Sequence, residues 1–136
     1  MAMMKAKPRG FRNNNPLNIR IGNVWLGEVK NPTDPAFEQF ISMEYGIRAG
    51  FVILRRYIKR NGFNTIRKII STWAPSSENN TAAYVDFVHK QTGLNTDDVI
   101  RYQDKIVMCA IVSAMIRMEC GEPVPMNVIQ KAYDMA

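Results

Sequence analysis

The sequence predicts a mainly α domain of α+β type, with a short N-terminal hairpin or irregular loop ahead of a series of helices. Three observations predict it. Beyond residue 42, apolar residues recur at helical spacing through most of the chain. Residues 11–42 are instead punctuated by Pro16, Gly22, Gly27, Pro32 and Pro35, which favour turns and short strands. The chain has 136 residues, 46% of them hydrophobic and 22% charged, which suits one domain with one core.

Taken in order, residues 1–10 read as a flexible basic arm and residues 11–136 as a single domain. Asn18-Ile19-Arg20-Ile21 reads as a short strand, Gly22-Asn23 as a turn, and Val24-Trp25-Leu26 as the hairpin partner. Phe37 and Phe40 would pin this loop to the core. A long helix is expected over 43–60, where Ile47, Phe51, Leu54 and Ile58 form an apolar stripe. Ser42 is its N-cap and Asn61-Gly62 its stop. A shorter helix after Asn64 carries Ile66, Ile69, Ile70 and Trp73, and Pro75 ends it. Residues 75–80 form a polar loop. Asn80 or Thr81 caps the next helix, which carries Tyr84, Val85 and Val88 and stops at Gly93. Asn95-Thr96-Asp97-Asp98 opens a short helical turn. Residues 104–119 form the most apolar helix, expected at the centre of the core and ended by Gly121. Pro125 opens a last helix.

Composition narrows the function. Lys and Arg number 18 against 12 acids, a net charge of +6 that favours anionic partners. The basic face of Arg55, Arg56, Lys59, Arg60, Arg67 and Lys68 could track phosphates, but no DNA-reading motif accompanies it and nucleic acid is not the expected partner. Cys109 and Cys120 share one predicted helix at about 16 Å separation, far beyond disulfide reach, so both thiols are expected free, as in a reducing compartment. Neither a signal peptide nor a membrane span is expected. Synthesis in the bacterial cytoplasm would then require separate delivery. The lone His89 and the absence of metal-binding or phosphate-cradling motifs leave no metal and no cofactor implied.

Carboxylates remain. Glu119 continues an apolar stripe from Val112 and Met115 and falls in the last turn of its helix, where the macrodipole disfavours a negative charge. Both effects raise a carboxyl pKa. A carboxyl group protonated near neutral pH is what general-acid cleavage of a glycosidic bond requires. The alternative is a helix-end Glu paired with Arg117 or another cation. The run Asn13-Asn14-Asn15-Pro16-Leu17-Asn18-Ile19-Arg20 offers amide donors and acceptors suited to sugars and their N-acetyl groups. The alternative is that these asparagines satisfy their own backbone. Trp25, Trp73 or Tyr84 could floor a sugar site, although each also suits a core. Glu78 and Asn79 are not needed for helix capping and could face a cleft.

Arg9-Gly10-Phe11-Arg12-Asn13-Asn14-Asn15-Pro16-Leu17-Asn18-Ile19-Arg20 resembles the start of small phage and prophage proteins. These are described as virion structural proteins or as lysozyme-like peptidoglycan hydrolases. The resemblance continues through Trp25-Leu26-Gly27-Glu28, Phe37-Glu38-Gln39-Phe40 and Tyr45-Gly46-Ile47-Arg48-Ala49, and is strongest over Trp73-Ala74-Pro75-Ser76-Ser77-Glu78-Asn79-Asn80-Thr81 and Tyr84. Asn15-Pro16-Leu17-Asn18-Ile19-Arg20 is also similar to the Asn-Leu-Phe-Gly-Ile-Lys type of segment that lines the glycan cleft of bacterial glucosaminidases and lytic transglycosylases. There the catalytic Glu precedes the segment. Here no acid precedes Asn13, and the stretch 111–121, containing Glu119, resembles the catalytic helix displaced to the C-terminal side, as in a circular permutation.

The resemblance implies a lysozyme-like helical domain that cleaves the glycan strand of peptidoglycan for a phage or prophage. Glu119 would be the general acid, with Glu78 or Glu28 as fallback partner. Asn13, Asn14, Asn18, Arg20, Trp25, Asn79 and Tyr84 would bind the glycan. The alternative is a non-enzymatic virion structural or glycan-binding protein of the same fold. Other virion proteins are its further expected partners.

Overall fold

A computed structural model describes residues 7–136. It is mainly helical, with six helices and no extended strand among the described residues. They are α1 (Arg9–Arg12), α2 (Met43–Asn61), α3 (Ile66–Trp73), α4 (Thr81–Thr92), α5 (Lys105–Cys120) and α6 (Met126–Met135).

The helix boundaries follow from local chemistry. Ser42, Thr65, Asn80 and Asp104 each accept a hydrogen bond from the backbone N–H three residues on, satisfying one orphan donor at each start. α5 ends at Gly121, whose φ of +73° is the left-handed conformation that glycine adopts at least cost. α5 packs against α4, α6 and α1, and α2 packs against α6. Its buried set, including Met108, Ile111, Val112, Met115 and Ile116, meets Ile47, Phe51 and Leu54 of α2 in one core. α5 is central but not buried all round, since Ile106 is 84% exposed.

The segment ahead of α2 departs from expectation in two ways. Part of the expected arm, residues 1–6, lies outside the described residues. Arg9 and Gly10 are not free: they form α1, tied by the Arg9–Asp34 ion pair at 2.6 Å and packed on the end of α5. The expected hairpin does not form. Arg20 bridges Phe37 and Glu28 bridges Phe40, both antiparallel, so residues 36–40 take the place expected for Val24-Trp25-Leu26. The Asp34 carboxylate explains this pairing. It accepts from the backbone N–H groups of Ala36 and Phe37 at 2.9 and 3.0 Å, turning the chain back towards residue 20. Val24 is left 94% exposed. Asn95–Asp98 also differs: it is a turn closed by the Asn95 side chain on Asp97 N–H at 2.9 Å, not a helical turn.

Two glycines let this loop lie against α2. A side chain at Gly46 would overlap the Asn14 carbonyl, and one at Gly50 would overlap Leu17. The neighbour at Gly46 is backbone, which cannot rotate aside. Gly46→Ala is expected to cost about 3 kcal/mol through overpacking, despite the better helix propensity of Ala. Urea unfolding of the two proteins checks this, and an unchanged midpoint would contradict the packing.

Candidate functional site

The loop and the end of α5 meet at an open cleft of about 630 Å³, within the usual range of ligand sites. One wall comes from Leu17 to Arg20 and Phe37. Another comes from Ile53 and Tyr57 of α2. The remainder is Trp73, Ala74, Glu78 and Asn79, which lead from α3 towards α4, and Glu119 in the last turn of α5.

Glu119 is held at this junction by donors from two distant segments. Asn18 Nδ2 donates to Oε1 at 3.2 Å, and the Tyr84 hydroxyl donates to Oε2 at 2.9 Å. Two effects on the carboxyl oppose each other. Burial pushes its pKa up, while the donors Asn18, Tyr84 and Trp73 stabilise the charged form and pull it down. Burial is the larger, and the pKa is raised above the ordinary carboxylate value. No cation pairs with Glu119 among the described residues, and Arg117 is exposed. The helix-end ion pair considered from sequence is therefore not what the structure contains. Next to Glu119, burial and the neighbouring carboxylates push the Cys120 thiol up to about 11, which leaves it protonated and a poor nucleophile.

Asn18 is placed by unusual backbone. It has φ +53° and Asn14 has φ +51°, left-handed conformations that Asn tolerates better than most residues. Gly10 lies directly behind the contact: a Cβ there would sit 2.7 Å from Cys120 Sγ and 2.8 Å from Asn18 Oδ1. α1 therefore seats both the asparagine and the end of α5.

The remaining candidates divide. Arg20, Glu78 and Asn79 line the cleft with Asn18 and Glu119. Tyr84 is buried behind the Glu119 carboxyl and reaches it only through its hydroxyl. Asn13, Asn14, Trp25 and Glu28 do not line the cleft. Asn13 is buried, donating to Asp34 at 2.9 Å and accepting from Gln39 at 3.1 Å. Asn14 donates to the Phe40 carbonyl at 3.0 Å. Trp25 is 7% exposed and belongs to the core. Glu28 accepts from the Trp25 backbone N–H at 3.0 Å and lies beside Glu38. Each side chain is occupied in fastening the loop. Tyr57 was missed from sequence. Its spacing of four from Ile53 places the two on one edge of α2, which could have singled it out. Among the described residues, no group of three potential ligands could hold a metal ion.

Protein P5 of Pseudoalteromonas phage PM2 is 41% identical to this chain over 131 residues, covering 93% of the chain and 80% of the phage protein. The chain belongs to the family of that phage protein. No model of a described protein family matches it. Among the described residues, no helix is long and apolar enough to cross a membrane.

Glu38 supplies a pH signature independent of the cleft. It is buried beside Glu28, and its Oε2 finds no hydrogen-bond partner among the described residues. Desolvation first, and then the neighbouring Glu28 carboxylate, push its pKa from 4.5 to about 7. The folded protein thus holds this proton more tightly than the unfolded chain does. The resulting stability is complete below about 4.5 and is lost as pH rises through about 7. Glu119 contributes with the same sign. Between these limits the Tm of the native protein should fall, and Glu38→Gln should flatten part of that fall. Thermal melts across the range check this, and equal slopes for the two proteins would contradict it.

Proposed function

We propose that this protein cleaves the glycan strand of bacterial peptidoglycan as a lysozyme-like phage protein, with Glu119 as the general acid. The observation that supports this best is the Glu119 carboxyl itself. Burial raises its pKa, Asn18 and Tyr84 orient it, and it forms part of the wall of an open cleft large enough for sugar rings. Polar groups and aromatic faces together suit carbohydrate, and Trp73, Tyr57 and Phe37 supply the aromatic component.

The chemistry follows from the residues present. Protonated Glu119 donates to the oxygen of the scissile bond as that bond breaks. The acetamido carbonyl of the sugar attacks the anomeric carbon from the other side, so a second carboxylate is not required. Glu119, now ionised and stabilised by the Asn18 and Tyr84 donors, takes the proton of the acceptor hydroxyl as its oxygen bonds to the anomeric carbon and displaces the acetamido oxygen, which restores the acid. Asn18 and Asn79 bind hydroxyl and acetamido groups, and Trp73 stacks on a ring. Glu78 is the carboxylate available where water is the acceptor. The net charge of +6 draws the protein to an anionic wall. In this reading the Asn18 loop and the α5 end correspond to the cleft segment and catalytic helix of a permuted lysozyme-like fold.

Two substitutions test the proposal. In a turbidity assay on purified peptidoglycan, Glu119→Gln should lower clearing by about a thousandfold, the loss expected of a general acid. An inactive native protein, or a variant that clears equally well, would refute the assignment. Tyr84→Phe removes a donor that favours the ionised form. It should shift the alkaline limb of the pH–rate profile to higher pH, because the acid then keeps its proton longer. Retention of glycan by the native protein with no product release would instead give the cleft a binding role in the virion.

A further inference from the structure

Arg20 and Arg9 both lie over the ring of Phe37, with guanidinium carbons 5.0 and 4.6 Å from its centroid. The two cations differ in what else they meet. Arg9 is neutralised by Asp34 through two hydrogen bonds of 2.6 and 2.7 Å. Arg20 has no carboxylate partner among the described residues, and it is the only cation among the described residues that line the cleft. The antiparallel Arg20–Phe37 bridge puts the two side chains on one face, so the ring supports the guanidinium from below. An unpaired guanidinium already stacked on an aromatic ring has less freedom to lose on binding an anion, and its planar fork matches a carboxylate.

Position narrows the ligand further. Arg20 is two residues beyond Asn18, which touches Glu119. Two residues of chain span at most about 7 Å, on the scale of one sugar residue. The sugar rings of a wall glycan are uncharged, so an anion at this distance must come from a substituent next to the scissile bond. We infer that Arg20 recognises a substrate carboxylate one sugar away from the cleavage point, carried by the peptide stem of the strand. This rests on the glycan-cleaving reading and assigns the site its substrate class: strands that still carry peptide, in preference to bare ones.

The test measures binding with Glu119→Gln, so that it does not depend on turnover. Three soluble ligands are compared by calorimetry: short peptidoglycan strands with intact stems, the same strands stripped by an amidase, and an N-acetylglucosamine hexamer. Stripping removes the stem carboxylates but frees the lactyl carboxylate on the sugar. Binding of the intact strand should be the tightest. Adding Arg20→Gln should weaken it by about tenfold or more while leaving the uncharged hexamer unchanged. Arg20→Lys should restore part of the loss. If the stripped strand binds as tightly as the intact one and shows the same loss, the carboxylate read is the lactyl group, and the stem assignment is overturned. If the hexamer loses affinity equally, Arg20 merely supports the loop, and the inference fails while the glycan reading survives. If none of the three ligands binds, the glycan reading fails and this inference with it.

Discussion

Every backbone N–H and C=O that folding removes from water needs a partner, and a long stretch without helix or sheet ladder has no regular pattern that supplies one. Between α1 and α2 that need is met by scattered backbone pairs, such as Phe40 N–H to the Asn13 carbonyl, and at their centre by Asn15. Its fully buried side chain donates to the carbonyls of Ile19 and Glu38 at 2.9 and 3.0 Å and accepts from Ile19 N–H at 3.0 Å. One amide thus pairs both backbone groups of one residue and joins them to the returning chain, as a neighbouring strand would. Removing it would leave the Ile19 N–H and the Glu38 carbonyl without a partner, each costing about 1–3 kcal/mol, while the Ile19 carbonyl keeps the Glu38 N–H. Asn13 and Asn14 extend the same fastening to Asp34, Gln39 and Phe40.

The loop wall of the cleft rests on this seam. It sets the course of residues 16–20, so that Leu17 and Ile19 enter the core while Asn18 and Arg20 reach the opening. It brings Phe37 under Arg20. Gly46 and Gly50 allow the loop to approach α2 closely enough for Leu17 to be buried. The opposite wall needs no such device, because α5 is fixed by ordinary apolar packing and its terminal turn carries Glu119 to the boundary between core and solvent. A raised pKa follows from that boundary position, where the carboxyl is desolvated without a cation to compensate.

Much of the helical part was legible because its signals are local. Ser42, Asn80 and Gly121 act at their own helix ends, and Glu119 stood out by continuing an apolar stripe into a terminal turn. The loop was less legible for a physical reason. An asparagine amide serves a sugar and a backbone equally well, and the sequence does not say which it meets. Asn18 points out and Asn13 points in, although both stand in one polar run. The partner of Arg20 was misjudged because the turn that decides it is made by Asp34, fourteen residues away, and no nearby pattern announces it. Trp25 was named for the cleft and is buried, while Tyr57 lines the cleft and was not named, since an aromatic at helical or strand spacing suits core and cleft alike.

The contact between Asn18 and Glu119 joins residues 101 apart in sequence. As the chain emerges from the ribosome, the asparagine seam can close early, since its partners all lie before α2. The acid arrives only with the last turn of α5. Until that turn is made, the polypeptide holds the loop wall of the cleft without Glu119. Making this contact closes a very long loop, whose entropic cost must be met by the packing that accompanies it. Completion of the fold and assembly of the cleft become a single event.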